Sequence, residues 1–465
     1  MYGIGNRENS LRSIGFALLL VSGAAHAQTK PVAPAPKPAA AGPKLSIEGS
    51  VRARMEGIDG QFRPKVDDSI AFASLRTLVA AKLDWGDLNV TGELMDARGY
   101  GEGHNSSVKA SDVNAVEPLQ AFMSYKLHNV LGKKDSLTAL AGRFTMTFGA
   151  QRLVARADFG NTFPSYLGGR VEYRTSKKDE LVLFWTHPLD ALPNSPDGIY
   201  DNKVELDHVN TGTVFYGADG NLADIGHKLS VGGYVYRLAE QDRPGYQTRD
   251  RRLVTFGLRL RRAPAKGKFD IEGEAALQRG EARVTNAVTD RKDLPVRAGF
   301  VHIEGGYTIA KKWTPRISAF IDYASGDGPD AAYGRFDLLY GARRADYGPT
   351  SLFGPVGLAN LVSPGIRIEA KPSKRLDLMG AVRGLWLADR TDTFAFTSVR
   401  DKTGASGRHA GTEVEVRVRR SLIPDRLRAE VGAAYLAKGR FLTSAPNAPH
   451  SGDARYGYAD LVFKF

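Results

Sequence analysis

The 465-residue chain contains no cysteine. Disulfide frameworks, thiolate zinc sites, iron–sulfur clusters and cysteine nucleophiles are thereby excluded. Long apolar runs are nearly missing as well. Only Ile14 to Val21 stands out, and a membrane-spanning helix needs about 20 such residues, which excludes a multi-span helical membrane protein. No segment of comparable length carries clean 3.6-residue periodicity. Catalytic spacings are absent too. There is no Gly-x-Ser-x-Gly elbow and no P-loop, and His128, His187, His208, His227, His302 and His409 are scattered without metal-ligand spacing. No enzyme activity, cofactor or metal is expected. The stretch Ala324 to Asp330, with Asp322, Asp327 and Asp330, lacks the twelve-residue spacing of a calcium loop and reads as a Gly/Asp turn.

What is present is glycine (51), proline (23), phenylalanine (21) and tyrosine (18), with 64 basic against 51 acidic residues and a formal charge of +13. That excess points to an anionic partner. A single core rarely grows past about 250–300 residues, so the chain is either several domains or a closed architecture without a thick core. The first 27 residues have the form of a secretory signal peptide. Arg7 and Arg12 precede the apolar Ile14–Val21, and Ala25-His26-Ala27 offers small-residue cleavage geometry. Residues 28–44, rich in proline and alanine, cannot pack a core and are expected to form an extended periplasmic tail.

From residue 45 to 465 the period is two. Leu45, Ile47, Gly49, Val51, Ala53 and Met55 alternate with Ser46, Glu48, Ser50, Arg52, Arg54 and Glu56, and Val414, Val416 and Val418 alternate with Glu413, Glu415, Arg417 and Arg419. Strand side chains alternate between faces, so each such segment has one apolar and one wet face. About eighteen such segments can be counted, the weakest at 211–217. Short connections, such as Trp85-Gly86-Asp87 and Pro372 to Lys374, alternate with long ones, such as 57–69, 147–167 and 325–361. This is the pattern of an all-β, transmembrane antiparallel β-barrel of about 18 strands, with periplasmic turns and extracellular loops. Closure satisfies every backbone donor and acceptor where lipid cannot. The terminal Phe465, following Phe463 and Leu461 on one face, fits an outer-membrane sorting signal. The expected location is the outer membrane.

A charge facing lipid at mid-depth costs about 2–4 kcal/mol, so the wet faces are expected to line the lumen. They carry Arg76, Arg170, Arg174, Arg367 and Arg383, among others, interleaved with acids that include Glu304, Asp322 and Glu413. Individually such arginines pair with neighbouring acids; collectively an Arg-rich wall favours anions. The long segment 325–361 holds seven glycines and is expected to restrict the outer mouth.

Two stretches carry a family likeness. One is Leu140-Ala-Gly142-Arg143-Phe-Thr-Met-Thr-Phe148-Gly149-Ala-Gln-Arg152, followed by Asn161-Thr-Phe163. The other runs from Gly334-Arg-Phe336-Asp337-Leu-Leu-Tyr-Gly341 through Tyr347-Gly348, Asn360-Leu361 and Leu385-Trp386-Leu387 to Gly411-Thr-Glu413. In this order they resemble the alginate export family of outer-membrane barrels, from about residue 45 to the end. The resemblance implies a monomeric eighteen-stranded barrel with an Arg-lined constriction, with Arg143 and Arg152 matching a Gly-Arg…Gly-x-x-Arg pattern and Glu413 a Gly-x-Glu. On this reading several of the five residues Arg76, Arg143, Arg152, Arg367 and Arg383 are expected to converge on a narrow, positive zone near mid-height. The chain would then pass an anionic, alginate-like saccharide or polysaccharide by diffusion. Its partners would be that saccharide, outer-membrane lipid and periplasmic export or uptake proteins, with no nucleic acid. Two rival readings are a less selective porin for small anions or nutrients, and a non-conducting surface barrel serving as adhesin or scaffold.

Overall fold

The structure is a computed structural model that describes residues 42–101, 103, 105–342, 346–347 and 354–465. The signal-peptide segment and all but the last three residues of the proline-rich tail lie outside the described residues. The first strands are β1 (Lys44–Asp59), β2 (Ile70–Trp85), β3 (Leu88–Tyr100), β4 (Asn114–His128), β5 (Ser136–Phe144), β6 (Tyr166–Arg174) and β7 (Glu180–Asp190). A two-residue strand, β8 (His208–Val209), precedes β9 (Thr213–Leu222), β10 (Leu229–Glu240), β11 (Arg252–Arg262), β12 (Phe269–Ala282) and β13 (Leu294–Thr308). The rest are β14 (Arg316–Ala324), β15 (Leu361–Ser373), β16 (Leu376–Trp386), β17 (His409–Ile423), β18 (Leu427–Lys438) and β19 (Ala454–Lys464).

Each long strand pairs antiparallel with the next, β7 passes directly to β9, and β19 returns to β1 through pairs such as Arg54↔Asp460. β8 is only a rung on the end of β7, so eighteen long strands close the sheet. The weakest segment in the sequence is a full strand. β9 pairs with β7 on one side (Leu183↔Ala218) and β10 on the other (Val235↔Ala218).

The two-residue period dictates which side chains face where. In β1, Arg52, Arg54, Glu56 and Ile58 are buried while Ala53 and Met55 are exposed. In β13, Phe300, His302 and Glu304 are buried while Val301 and Ile303 are exposed. The outer face is an aliphatic belt that includes Val79, Leu94, Leu183, Leu258, Ile321, Ile366 and Val416. One end of the barrel is made of tight turns. One of the two shortest is Gly86-Asp87 between Trp85 and Leu88, where Gly86 takes a positive φ of 61°, open to glycine without a side-chain clash. The other end carries the nine long loops.

Two of those loops reach into the lumen. Segments 145–165 and 325–342 turn inward and meet. Val154 and Tyr340 form a parallel bridge, Tyr340 N–H donates to the Leu153 carbonyl at 3.0 Å, and Ala342 N–H donates to the Gln151 carbonyl at 2.8 Å. The approach is close enough to require glycine at 341, where a Cβ would stand 1.8 Å from the Arg152 carbonyl oxygen. Around this rung Tyr166, Phe184, Phe215, Tyr236 and Tyr340 pack with ring centroids 5.0–6.2 Å apart. The barrel's apolar core is therefore inside it, made of loop and wall aromatics together. The expectation of a restricted mouth from 325–361 becomes, in the structure, a segment that reaches the lumen wall.

Candidate functional site

The wall arginines gather the inserted loops at three places. At the first, Arg52 on β1 and Arg76 on β2 stand directly opposite each other in register. Arg52 is held by backbone carbonyls rather than by a carboxylate: Asp158 O at 2.6 Å, Phe159 O at 3.1 Å and Gly160 O at 2.8 Å, with Asn161 Oδ1 at 2.9 Å. Arg76 pairs with the Asp158 carboxylate at 2.6 Å and bonds Gly160 O at 2.8 Å. Arg54 pairs with Asp460 at 2.5 Å and lies 3.8 Å over the Phe159 ring. Burial works against the charge of Asp158, but Arg76 and Arg52 outweigh it and hold its carboxyl below the usual range. A lumen cavity of about 410 Å³ adjoins this cluster, lined by Arg52, Arg54, Arg419 and Arg428 against Asp158, Glu430 and Asp460. No carboxylate lies within ion-pair distance of Arg428 among the described residues.

At the second place, Arg152 at the tip of the first inserted loop is almost fully buried. It donates to Asp346 at 2.8 and 2.9 Å, to Glu274 at 2.9 Å and to Glu272 at 2.9 Å. Burial opposes ionisation of Asp346, yet Arg152 holds its carboxyl low, at about 2. The wall beside it continues the network. Arg316 on β14 reaches Asp270, Glu304 and Glu369, and Arg367 on β15 pairs with Glu304 at 3.0 Å. Arg383 on β16 stacks against Phe320 and Tyr347, 4.9 and 5.4 Å from their ring centres. Its register partner on β17 is Glu413, which is buried.

At the third place, Arg143 on β5 ties down the loop between β7 and β9. It pairs with Glu117 at 2.5 Å and with Asp207 at 3.2 Å, and donates to Ser165 Oγ at 2.9 Å. Asp207 also accepts from Asn114 Nδ2 at 2.9 Å and from Leu192 N–H at 3.0 Å. Burial, and then the Glu117 carboxylate beside it, push the Asp207 carboxyl up to about 6.

Of the residues singled out in the sequence, Arg152, Arg367 and Arg383 thus gather around Asp346 and Tyr347, with Glu413 opposite Arg383. Arg76 belongs to the Asp158 cluster and Arg143 to the Asp207 latch, so the five arginines form no single ring. Arg170 and Arg174 lie toward the short-turn end of β6. Both pair with Glu172, Arg170 at 3.5 Å, and Arg174 also with Glu180 at 3.1 Å. They line a polar cavity of about 510 Å³ beneath the loops, together with Asp219, Arg259 and Glu272. Sequence reasoning missed the loop acids Asp158, Asp207 and Asp346, because loops have no period to assign them a face.

Eighteen closed strands, an aliphatic outer belt and a charged lumen define an outer-membrane channel protein rather than an enzyme. Within that class, residues 44–454 match the family described as alginate export, and the chain belongs to it. No curated protein matches the chain by sequence. Among solved structures, OpdQ of Pseudomonas aeruginosa aligns with a TM-score of 0.56 at 12% identity, over 90% of this chain and 97% of that one. OccAB1 of Acinetobacter baumannii aligns with a TM-score of 0.57 at 11% identity, over 90% and 96%. OccK2 (OpdF) of P. aeruginosa, solved in complex with glucuronate, aligns with a TM-score of 0.54 at 11% identity, again over 90% and 96%. At such identities the likeness is one of fold.

Proposed function

We propose that the channel passes an anionic, uronate-type saccharide by diffusion, and that lumen arginines provide its selectivity. The observation that carries this reading is the 410 Å³ cavity, where four arginines meet three carboxylates. There Arg52 is satisfied by carbonyl oxygens, which are weaker acceptors than a carboxylate. A guanidinium fork matches a carboxylate in two hydrogen bonds, so a uronate arriving there would meet Arg428, which has no carboxylate within ion-pair distance among the described residues, and could displace the carbonyl bonds of Arg52. The interleaved acids keep binding weak enough for release, which conduction requires. Membership of the alginate export family supports a saccharide carboxylate as cargo, and the glucuronate bound to a barrel of the same fold is consistent with it.

The test is single-channel recording in planar bilayers, with reversal potentials in a salt gradient and titration with a uronate oligomer. Arg52→Ala with Arg428→Ala should lower anion preference and weaken block by the oligomer. Arg143→Ala with Arg367→Ala should do so less, because those side chains are already held by Glu117, Asp207 and Glu304. If the first double variant is as anion-selective and as strongly blocked as the parent, the arginines brace the wall and the uronate reading fails.

A further inference from the structure

Beside the Arg152 network the wall presents a second kind of chemistry. His302 on β13 and Asp322 on β14 are directly opposed in register, with Nδ1 to Oδ1 at 2.6 Å. Asp346, from the inserted loop, brings its Oδ1 to 3.9 Å from the same Nδ1. One donor atom from each of the three lies within 4.8 Å of the other two, and all three residues are buried. Two further atoms of the trio, His302 Nε2 and Asp322 Oδ2, are buried without a hydrogen-bond partner among the described residues. Buried polar atoms left without a partner are costly, and a bare nitrogen or carboxylate lone pair is what a cation takes as a ligand.

We propose that His302, Asp322 and Asp346 bind a divalent transition-metal cation of the zinc class, and that the ion fastens the inserted loop to β13 and β14. The donor set of one imidazole and two carboxylates suits zinc and its neighbours better than calcium or magnesium, which take oxygen ligands almost exclusively. Metal–ligand bonds of about 2.0–2.2 Å place tetrahedral donors about 3.3 Å apart. The observed separations need shifts of only several tenths of an ångström to more than an ångström, most of them on the loop side. Arg152, Arg367 and Arg383 lie around the trio, but Arg152 is shared with Glu272 and Glu274 and Arg367 with Glu304, so part of their charge is taken up by neighbouring carboxylates. Arg152, bonded to both oxygens of Asp346, becomes the outer partner that orients a ligating carboxylate. The site is independent of which solute the channel carries.

Cobalt(II) is the probe, because its visible absorption reports coordination number and ligand type while it occupies zinc-type sites. The full-length barrel, folded in detergent and stripped with a chelator, should take up about one equivalent of Co²⁺ with the intense visible band of a four-coordinate ion, and Zn²⁺ should abolish that band. His302→Gln and Asp346→Asn should weaken Co²⁺ binding by about 100-fold or abolish it, whereas His128→Gln, at an exposed histidine beside Asp87, should leave it unchanged. Asp346→Asn lies on a loop, so the strands close without it, and heat-modifiable migration on gels confirms folding of each variant. Absence of the band in the parent, or a band that persists in both His302→Gln and Asp346→Asn, overturns the proposal.

Discussion

Replacing Arg152 by methionine keeps an unbranched apolar stem and removes the guanidinium with its charge. In the structure that one guanidinium neutralises parts of three carboxylates, Asp346, Glu274 and Glu272, and it is about 3% exposed. Removing one member of a buried ion pair costs about 3–5 kcal/mol, because the partner charge is left without compensation. The wall acids cannot move, since Glu272 and Glu274 are fixed in β12 by its pairing with β11 and β13. The part able to relieve the repulsion is the loop segment carrying Asp346. At about 1.4 kcal/mol per tenfold, even 3 kcal/mol shifts the equilibrium between docked and undocked loop by roughly 150-fold. Two readouts follow. Limited proteolysis within 325–360 of the folded barrel should speed up, since cleavage tracks the population of the open form. In planar bilayers the variant should spend more time at a higher conductance. If a folded Arg152→Met barrel is cleaved and conducts like the parent, Arg152 does not hold the loop and the latch is refuted.

Gly341→Val should act in the same direction through sterics alone, because a Cβ at 341 meets the Arg152 carbonyl oxygen at 1.8 Å; faster cleavage of both 145–165 and 325–360 is the expected result, and an unchanged rate for either counts against the contact. For the loop between β7 and β9, the Asp207 carboxyl titrates at about 6 when docked and near 3.9 when free. The docked state binds the extra proton between those values, so docking weakens as pH rises from about 4 to 6 and is weakest above 6, by about 3 kcal/mol before solvent screening. Hydrogen-exchange protection factors over 191–210, with the intrinsic pH dependence of exchange divided out, should be higher at pH 4.5 than at 7.5, and Asp207→Asn should remove the difference. Because the chain has no cysteine, single cysteines at the exposed Asp330 and Ser373 report sidedness cleanly: an impermeant thiol reagent on intact cells should label Asp330→Cys and not Ser373→Cys, and the opposite pattern would reverse the assignment of the long-loop end to the cell exterior.

The strands were legible because lipid outside and charge inside enforce a strict period of two. β1, β12 and β17 follow it almost residue by residue. β9 was faint because Gly217 and Gly220 interrupt its pattern and only Phe215 and Asp219 are buried inward residues of weight. The site was legible by halves. Wall arginines such as Arg76 and Arg367 announce themselves as charges on the wet face of a strand. Their partners Asp158, Asp207 and Asp346 come from loops, where position in sequence says nothing about position in the lumen. One signal was available: Phe336, Leu338, Leu339 and Tyr340 form an apolar run inside a nominally external loop, and such a run needs a place to be buried.

The latch between Arg152 and Asp346 joins residues 194 positions apart in the chain, and this separation sets an order of events. Contacts so distant in sequence form late, after the entropy of closing the intervening chain has been met. The lumen is therefore narrowed only once the hairpins from β6 to β14 stand in place, and the inserted loops are the last part of the molecule to set. The same order runs backwards under stress. The inserted loops should release at a lower temperature or denaturant concentration than the hydrogen-bonded wall, so that on warming the passage widens before the barrel becomes a coil.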